Sequence, residues 1–279
     1  MRLRLYHHLD GARIAYREEG SGRPLVLLHS LGLSHREWAP VVPALSERFR
    51  VVLPDLPLHG DSEDRPRHPY TPAWLTEVIA GFCAEVAGPR GSAVGHGFGA
   101  ELALRAVASG QYTPARLVLM NNRLHHATPY SGRLAALRAV IRLGAAPGID
   151  LLLSHLAPVV FRPALGERLS AQGNADARDL MRHALQEVGG NSNRARAWAR
   201  FVGAWPLQPQ RDLLDAYAAV RAPVLLLWAQ QEPGVPLSCA QEVVDLLSDG
   251  ALRVLAEAGF LAAYDDPVSL ARELIWFCG

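Results

Sequence analysis

Residues 91–105 read Gly-Ser-Ala-Val-Gly-His-Gly-Phe-Gly-Ala-Glu-Leu-Ala-Leu-Arg. The short apolar run from Ser92 to Val94 has the character of the end of a buried strand. Gly95, Gly97 and Gly99 then fall at every second position, and apolar residues follow with helical spacing from Ala100 to Val107. A strand that becomes a helix within about five residues needs small side chains, because the turn is strained and its backbone lies close to both elements.

Outward from this stretch the chain alternates strand-like and helix-like segments. On the N-terminal side, Leu3 to His8 and Ala12 to Arg17 flank Asp10-Gly11, the signature of a hairpin. Pro24 to His29 and Phe49 to Leu53 are continuous apolar runs, as in strands covered on both faces. Pro72 to Ala87 carries Leu75, Val78, Ile79, Phe82 and Val86 at helical spacing, with Cys83 on the same face. On the C-terminal side, strands are predicted over Arg116 to Met120, Ala222 to Trp228 and Leu252 to Leu255. Helices are predicted over Ala240 to Leu247 and Val268 to Phe277. Residues 123–210 break this rhythm, with helical patterns near 132–143, 149–156, 175–188 and 194–204 and no clear buried strand.

The combination resembles the α/β-hydrolase family, in its enol-lactonase and haloperoxidase-like branch. The family's nucleophile elbow reads Gly-x-Ser-x-Gly; here Gly95 and Gly99 match the flanking glycines and Gly97 stands at the serine. His29-Ser30-Leu31-Gly32 is similar to the His-Gly-x-Gly loop, and Ser-Leu-Gly is frequent in enol-lactonases. Trp38 matches the tryptophan that opens the next helix in the family. Asp55-Leu-Pro-Leu-His59-Gly-Asp-Ser62 resembles Asp-x-x-Gly-His-Gly-x-Ser, with Leu58 at the usual glycine. Glu232 stands at the triad acid and Phe260, in Ala258-Gly259-Phe260, at the triad histidine.

The resemblance implies an α/β-hydrolase fold: a mostly parallel eight-stranded sheet with helices on both faces. The core spans 1–122 and 211–279, and 123–210 forms a helical cap insertion. It further implies an oxyanion hole from the backbone N–H groups of Leu31 and Phe98, with Ser30 beside them. Gly97 is expected to enlarge the space above the elbow.

Acyl-enzyme chemistry needs a nucleophile, a base and a group that orients the base. Gly97 has no side chain to attack with and Phe260 no nitrogen to accept a proton. The expected function is therefore a non-hydrolytic small-molecule-binding protein or inactive homologue, taking a ligand with a carbonyl or carboxylate. Two alternatives use the pocket otherwise: cofactor-free lyase, isomerase or cyclase chemistry, or weak esterase or lactonase turnover. Histidines that could replace the base are His29, His59, His96, His125, His126 and His155. His29 and His96 are expected mainly to hold loops, and the His125-His126 pair to lie at the start of the cap. Ser30 and Cys83 are weak candidates for a displaced nucleophile.

With 279 residues, 49% of them hydrophobic, the chain is long enough for a sizeable core. A formal charge of +1, with arginines scattered, gives no footprint for nucleic acid or an anionic membrane. Cys83, Cys239 and Cys278 are too few and too far apart for a disulfide framework or zinc knuckle. No metal and no cofactor is expected from the histidine spacing. No stretch approaches a membrane span and the N-terminal residues have no apolar signal core, so a cytoplasmic protein is expected, with homodimerisation left open.

Overall fold

The computed structural model describes residues 1–126 and 170–279, apart from 66, 189–190, 206–211 and 233; between them only 136, 139, 142 and 149 are described. The chain begins with a hairpin, β1 (Arg2–His7) and β2 (Arg13–Glu19). Gly11 closes its turn at φ +87°, a conformation a Cβ disfavours. The parallel strands are β3 (Arg23–Leu28), β4 (Phe49–Pro54), β5 (Ser92–His96), β6 (Leu117–Met120), β7 (Val224–Ala229) and β8 (Gly250–Leu255). They form one eight-stranded sheet in the order β1-β2-β4-β3-β5-β6-β7-β8, antiparallel only where β2 meets β1 and β4.

Helices cover both faces because the strands are apolar on both. Val26 and Leu28 of β3 face one core with Leu117, Leu119, Leu226 and Trp228. Leu25 and Leu27 face the other with Val51, Leu53, Val118, Leu225 and Leu227. The first core is sealed by α2 (Pro72–Val86) and α3 (Phe98–Ala108), the second by α1 (Val42–Ser46) and α9 (Pro267–Cys278).

The sequence dictates α2 closely. Thr71, in extended conformation, caps it by accepting from the Trp74 N–H at 3.3 Å, and Pro72 occupies the first turn. Leu75, Val78, Ile79, Phe82 and Cys83 form its buried stripe. Burying each of the larger side chains is worth roughly 1.5–3 kcal/mol.

Four further helices lie among the described residues. They are α4 (Ala175–Val188), α5 (Ser192–Ala204) and α6 (Asp212–Tyr217), between β6 and β7, and α7 (Leu237–Val244), after β7. A single turn, α8 (Ala262–Asp265), precedes α9.

Two local expectations differ from the structure. Trp38 does not open a helix: it ends a 3₁₀ turn, His35–Trp38, and the chain then passes Pro40 before α1 starts at Val42. The helix predicted over 240–247 runs instead over α7, because Pro236 sets its start three residues earlier. The segments 132–143 and 149–156 lie outside the described residues but for 136, 139, 142 and 149. Among the described residues no helix is long and apolar enough to cross a membrane.

Candidate functional site

Strand register brings the chain's unusual residues to one edge. Leu28 pairs with Gly95, His96 with Met120, and Met120 with Leu227. The residues leaving β3, β5, β6 and β7 therefore meet at the carboxyl ends of the parallel strands, where open α/β sheets place their ligands.

The elbow is shaped by close backbone contact. A Cβ on Gly95 would lie 2.5 Å from the Ala100 backbone, and one on Gly99 would lie 2.4 Å from the Leu28 carbonyl oxygen. Gly97 adopts φ 51°, ψ −110° as the cap of α3. Its N–H donates to the Met120 carbonyl at 2.9 Å, and its carbonyl accepts from Asn122 Nδ2 at 2.5 Å. The turn is thus braced from β6 with no side chain of its own.

The space above Gly97 is not enlarged, contrary to expectation. A Cβ there would fall 2.3 Å from Ser30 Oγ and 3.5 Å from Phe260 Cζ. The Ser30 hydroxyl fills the volume that a residue larger than glycine would need. Ser30 itself is buried, and its N–H donates to Glu37 Oε2 at 2.7 Å. The Leu31 side chain is exposed, and its N–H meets no backbone carbonyl of the described residues. The Phe98 N–H is the first of α3 and has no acceptor within the helix. Among the described residues, neither of the two amides expected to form an oxyanion hole has a backbone acceptor.

Glu37, not singled out in the sequence, links two of these parts. Its Oε1 takes a very short hydrogen bond from His96 Nδ1 while its Oε2 holds the Ser30 amide. Both side chains are buried. His96 Nε2 is buried without a hydrogen-bond partner among the described residues, and the Phe260 ring covers it at 4.3 Å between centroids. His96 is thus held by Glu37 and covered by Phe260, the residue at the position of the resembling family's histidine.

His29 holds the floor. Its Nε2 accepts from the Leu56 N–H at 2.9 Å, which leaves the proton on Nδ1 to donate to the Ser30 carbonyl at 2.8 Å. His59 is wired the same way, accepting from the Gly32 N–H and donating to the Pro57 carbonyl. Burial keeps both rings neutral: the His29 pKa is lowered, and that of His59, lowered by burial and then by His29, falls to about 3. Neither ring has a nitrogen left for proton transfer. Asp55 fixes the same loop by accepting from the His35 amide at 2.7 Å and the Asp61 amide at 3.0 Å. Burial raises its pKa, but the hydrogen bond and charge of His35 outweigh this and leave it at about 2. Leu58, at the glycine of the resembling motif, is held at φ +78°.

Glu232 lies on the loop after β7. Its Oε1 accepts from the Gly234 N–H at 2.6 Å, and its Oε2 is buried with no hydrogen-bond partner among the described residues. Burial raises its pKa against the pull of the Gly234 amide, His96 and Arg123. Over the elbow, α5 and the residue that ends it contribute aromatic rings: Trp205, just past the helix, and Phe201 pack on Phe98 at 4.8 and 5.4 Å, and Trp198 packs on His59 at 5.1 Å. Helix α4 adds Ala177 and Leu180 beside Leu33, Leu261 and Phe260.

His125 and His126 turn elsewhere. His125 Nδ1 lies 3.2 Å from the Tyr217 hydroxyl, and the Nε2 atoms of both rings approach the Glu242 carboxylate of α7. Burial, then His126, lowers the His125 pKa. Cys83 is a core residue of α2 whose thiol burial pushes up to about 12, which rules it out as a ready nucleophile.

The Alpha/beta hydrolase family model matches residues 25–273. A putative carbamate hydrolase of Variovorax paradoxus is 28% identical over 262 residues, 92% of this chain and 91% of that protein. The magnesium-chelatase 30 kDa subunit of Rhodobacter capsulatus is 26% identical, over 83% of this chain and 78% of that one. Among solved structures, an alpha/beta hydrolase fold protein from Burkholderia ambifaria superposes with a TM-score of 0.80 at 22% identity, covering 98% of this chain and 96% of that one. The enol-lactonase from Burkholderia xenovorans superposes with a TM-score of 0.70, also at 22% identity, covering 98% and 99%.

Proposed function

As the chain belongs to the alpha/beta hydrolase family, we propose that it binds a small molecule bearing a carbonyl or carboxylate and forms no acyl-enzyme at the elbow. One observation carries this reading: at the reactive position Gly97 presents no side chain, and Ser30 Oγ stands where a larger residue's Cβ would go. Phe260 closes over His96 at the place of the base. What remains is a binding surface. The Leu31 and Phe98 amides and the N-terminal end of α3 favour a partially or fully negative oxygen. The aromatic rings on and just past α5 supply the apolar wall. Within the 123–210 insertion, of which most of 127–169 lies outside the described residues, helices α4 and α5 would serve as the cap, with 1–122 and 211–279 as the core. The names of the relatives, a carbamate hydrolase and an enol-lactonase, support a carbonyl-bearing ligand.

A second reading is favoured by Glu232. A half-buried carboxyl with raised pKa and an oxygen unpartnered among the described residues is suited to move a proton in lyase, isomerase, cyclase or weak lactonase chemistry without a covalent intermediate.

Three measurements separate these readings. A fluorophosphonate probe should leave the chain unlabelled; a phosphonylated serine would overturn the proposal. Native mass spectrometry of the purified chain should reveal a co-purifying carbonyl or carboxylate compound, unchanged on incubation. Consumption of that compound, reduced by at least tenfold in Glu232→Gln, would favour the second reading.

A further inference from the structure

We propose that His125, His126 and Glu242 form a binding site for a divalent transition-metal ion, two imidazoles and one carboxylate with the remaining position open to solvent. This cluster plays no part in the binding surface at the elbow. One ligand atom from each residue can be chosen so that all lie within 4.8 Å of one another. His125 Nε2 stands 3.5 Å from Glu242 Oε1, and His126 Nε2 stands 3.4 Å from Glu242 Oε2. Tetrahedral coordination with bonds of about 2.0–2.1 Å separates neighbouring ligand atoms by about 3.3–3.4 Å. Each nitrogen therefore already stands at about that spacing from one oxygen of the carboxylate, and the three-residue set lies within 4.8 Å.

The hydrogen bonding around the cluster fits the same assignment. A ligating imidazole donates its other N–H to a neighbour, which fixes the tautomer and frees the metal-binding lone pair. His125 Nδ1 has such a neighbour in the Tyr217 hydroxyl, on a fully buried ring of α6. His126 Nε2 is buried and makes no hydrogen bond among the described residues, although it stands 3.4 Å from Glu242 Oε2. The two ring centroids lie 4.2 Å apart with the planes tilted by 31°, and the Nε2 atoms of both rings approach the Glu242 carboxylate. The Glu242 side chain is 56% exposed, which gives an ion a route in.

Two neutral imidazoles and a carboxylate carry one negative charge and suit zinc, cobalt, nickel or iron(II) better than calcium or magnesium, which prefer all-oxygen shells. The site would clamp the segment that leaves the pocket floor at Asn121-Asn122 to α7, the helix that follows the Glu232 loop.

The test uses the whole chain, stripped with chelator. Zn²⁺ affinity is measured against a chromophoric competitor, and Co²⁺ is followed by its visible absorption. The expected result is one equivalent of Co²⁺ with a tetrahedral spectrum, a zinc-dependent rise in Tm, and at least tenfold weaker binding in each of His125→Gln, His126→Gln and Glu242→Gln. Glu242 lies on the surface, so its variant should keep the wild-type circular dichroism spectrum and serves as the control for folding. Wild-type affinity in any one of the three variants would overturn the three-ligand set. No saturable Co²⁺ band in the wild-type chain would overturn the site altogether.

Discussion

A serine at position 97 would have to share its Cβ space with a hydroxyl already there. The ideal Cβ would fall 2.3 Å from Ser30 Oγ, and the backbone sits at φ 51°. Positive φ in a non-glycine residue costs on the order of 1–3 kcal/mol. Gly97→Ser alone should therefore lower stability by about that amount or more in urea unfolding. Adding Ser30→Gly should restore part of it by removing the clash. Only the triple variant with Phe260→His, which supplies the base, should hydrolyse p-nitrophenyl esters. If Ser30→Gly gives no recovery, the hydroxyl is not the obstacle. Glu232 offers a second test at this scale. Its folded-state pKa is raised by burial, so the folded carboxylate carries a penalty. That penalty is absent while folded and unfolded states are both protonated, and it grows as pH rises through the unfolded and then the folded pKa. Glu232→Gln should melt above wild type at pH 8 and level with it near pH 3, below the ordinary glutamate pKa of about 4.3. An equal Tm at both pH values would contradict the raised pKa.

At the scale of elements, α5 is held over the site by polar contacts as well as by its rings. Arg194 Nε donates to Asp64 Oδ2 at 2.9 Å and Arg194 Nη2 to the Gly60 carbonyl at 3.1 Å, while Asn191 Nδ2 reaches the same Asp64 oxygen at 3.2 Å. Hydrogen bonds to charged groups are worth about 1.5–3 kcal/mol. Asp64→Ala should raise amide exchange across 192–204 by about tenfold or more and leave β5 unchanged; unaltered protection of α5 would mean that Trp198, Phe201 and Trp205 suffice. Helix α5 was legible in the sequence because its apolar and arginine positions alternate at helical spacing. The strands were legible because an apolar run buried on both faces needs no periodicity to be seen. Short elements such as α1, α6 and the 3₁₀ turn at His35 were not, since a single turn leaves no period to read. In the site, Gly97, Glu232 and Phe260 could be located because their spacing belongs to local motifs. Glu37 could not: its bond to His96 joins positions 59 residues apart, and nothing in its neighbours marks it. The occupation of the elbow by Ser30 was hidden for the same reason, since it depends on two strands being adjacent.

For the whole molecule, the two cores on either side of the sheet account for the cysteines. Cys83 lies in one core and Cys278 in the other, Cys239 is buried on α7, and all three are reduced. Burial pushes the thiols of Cys83 and Cys278 up to about 12 and raises that of Cys239. The native chain should show no rapidly titrating thiol with a disulfide reagent, and three after unfolding. A fast native equivalent would mark local opening of the element that carries it.

Gly95 and Gly99 are required by the Ala100 backbone and the Leu28 carbonyl, whatever stands between them. Their retention is a matter of how tightly a strand and a helix can be folded back, so it is indifferent to reactivity. A genome survey that scores the flanking pair will count this chain among the esterases. One that scores the middle position will set it apart, and the two tallies measure different things: architecture in the first, chemistry in the second.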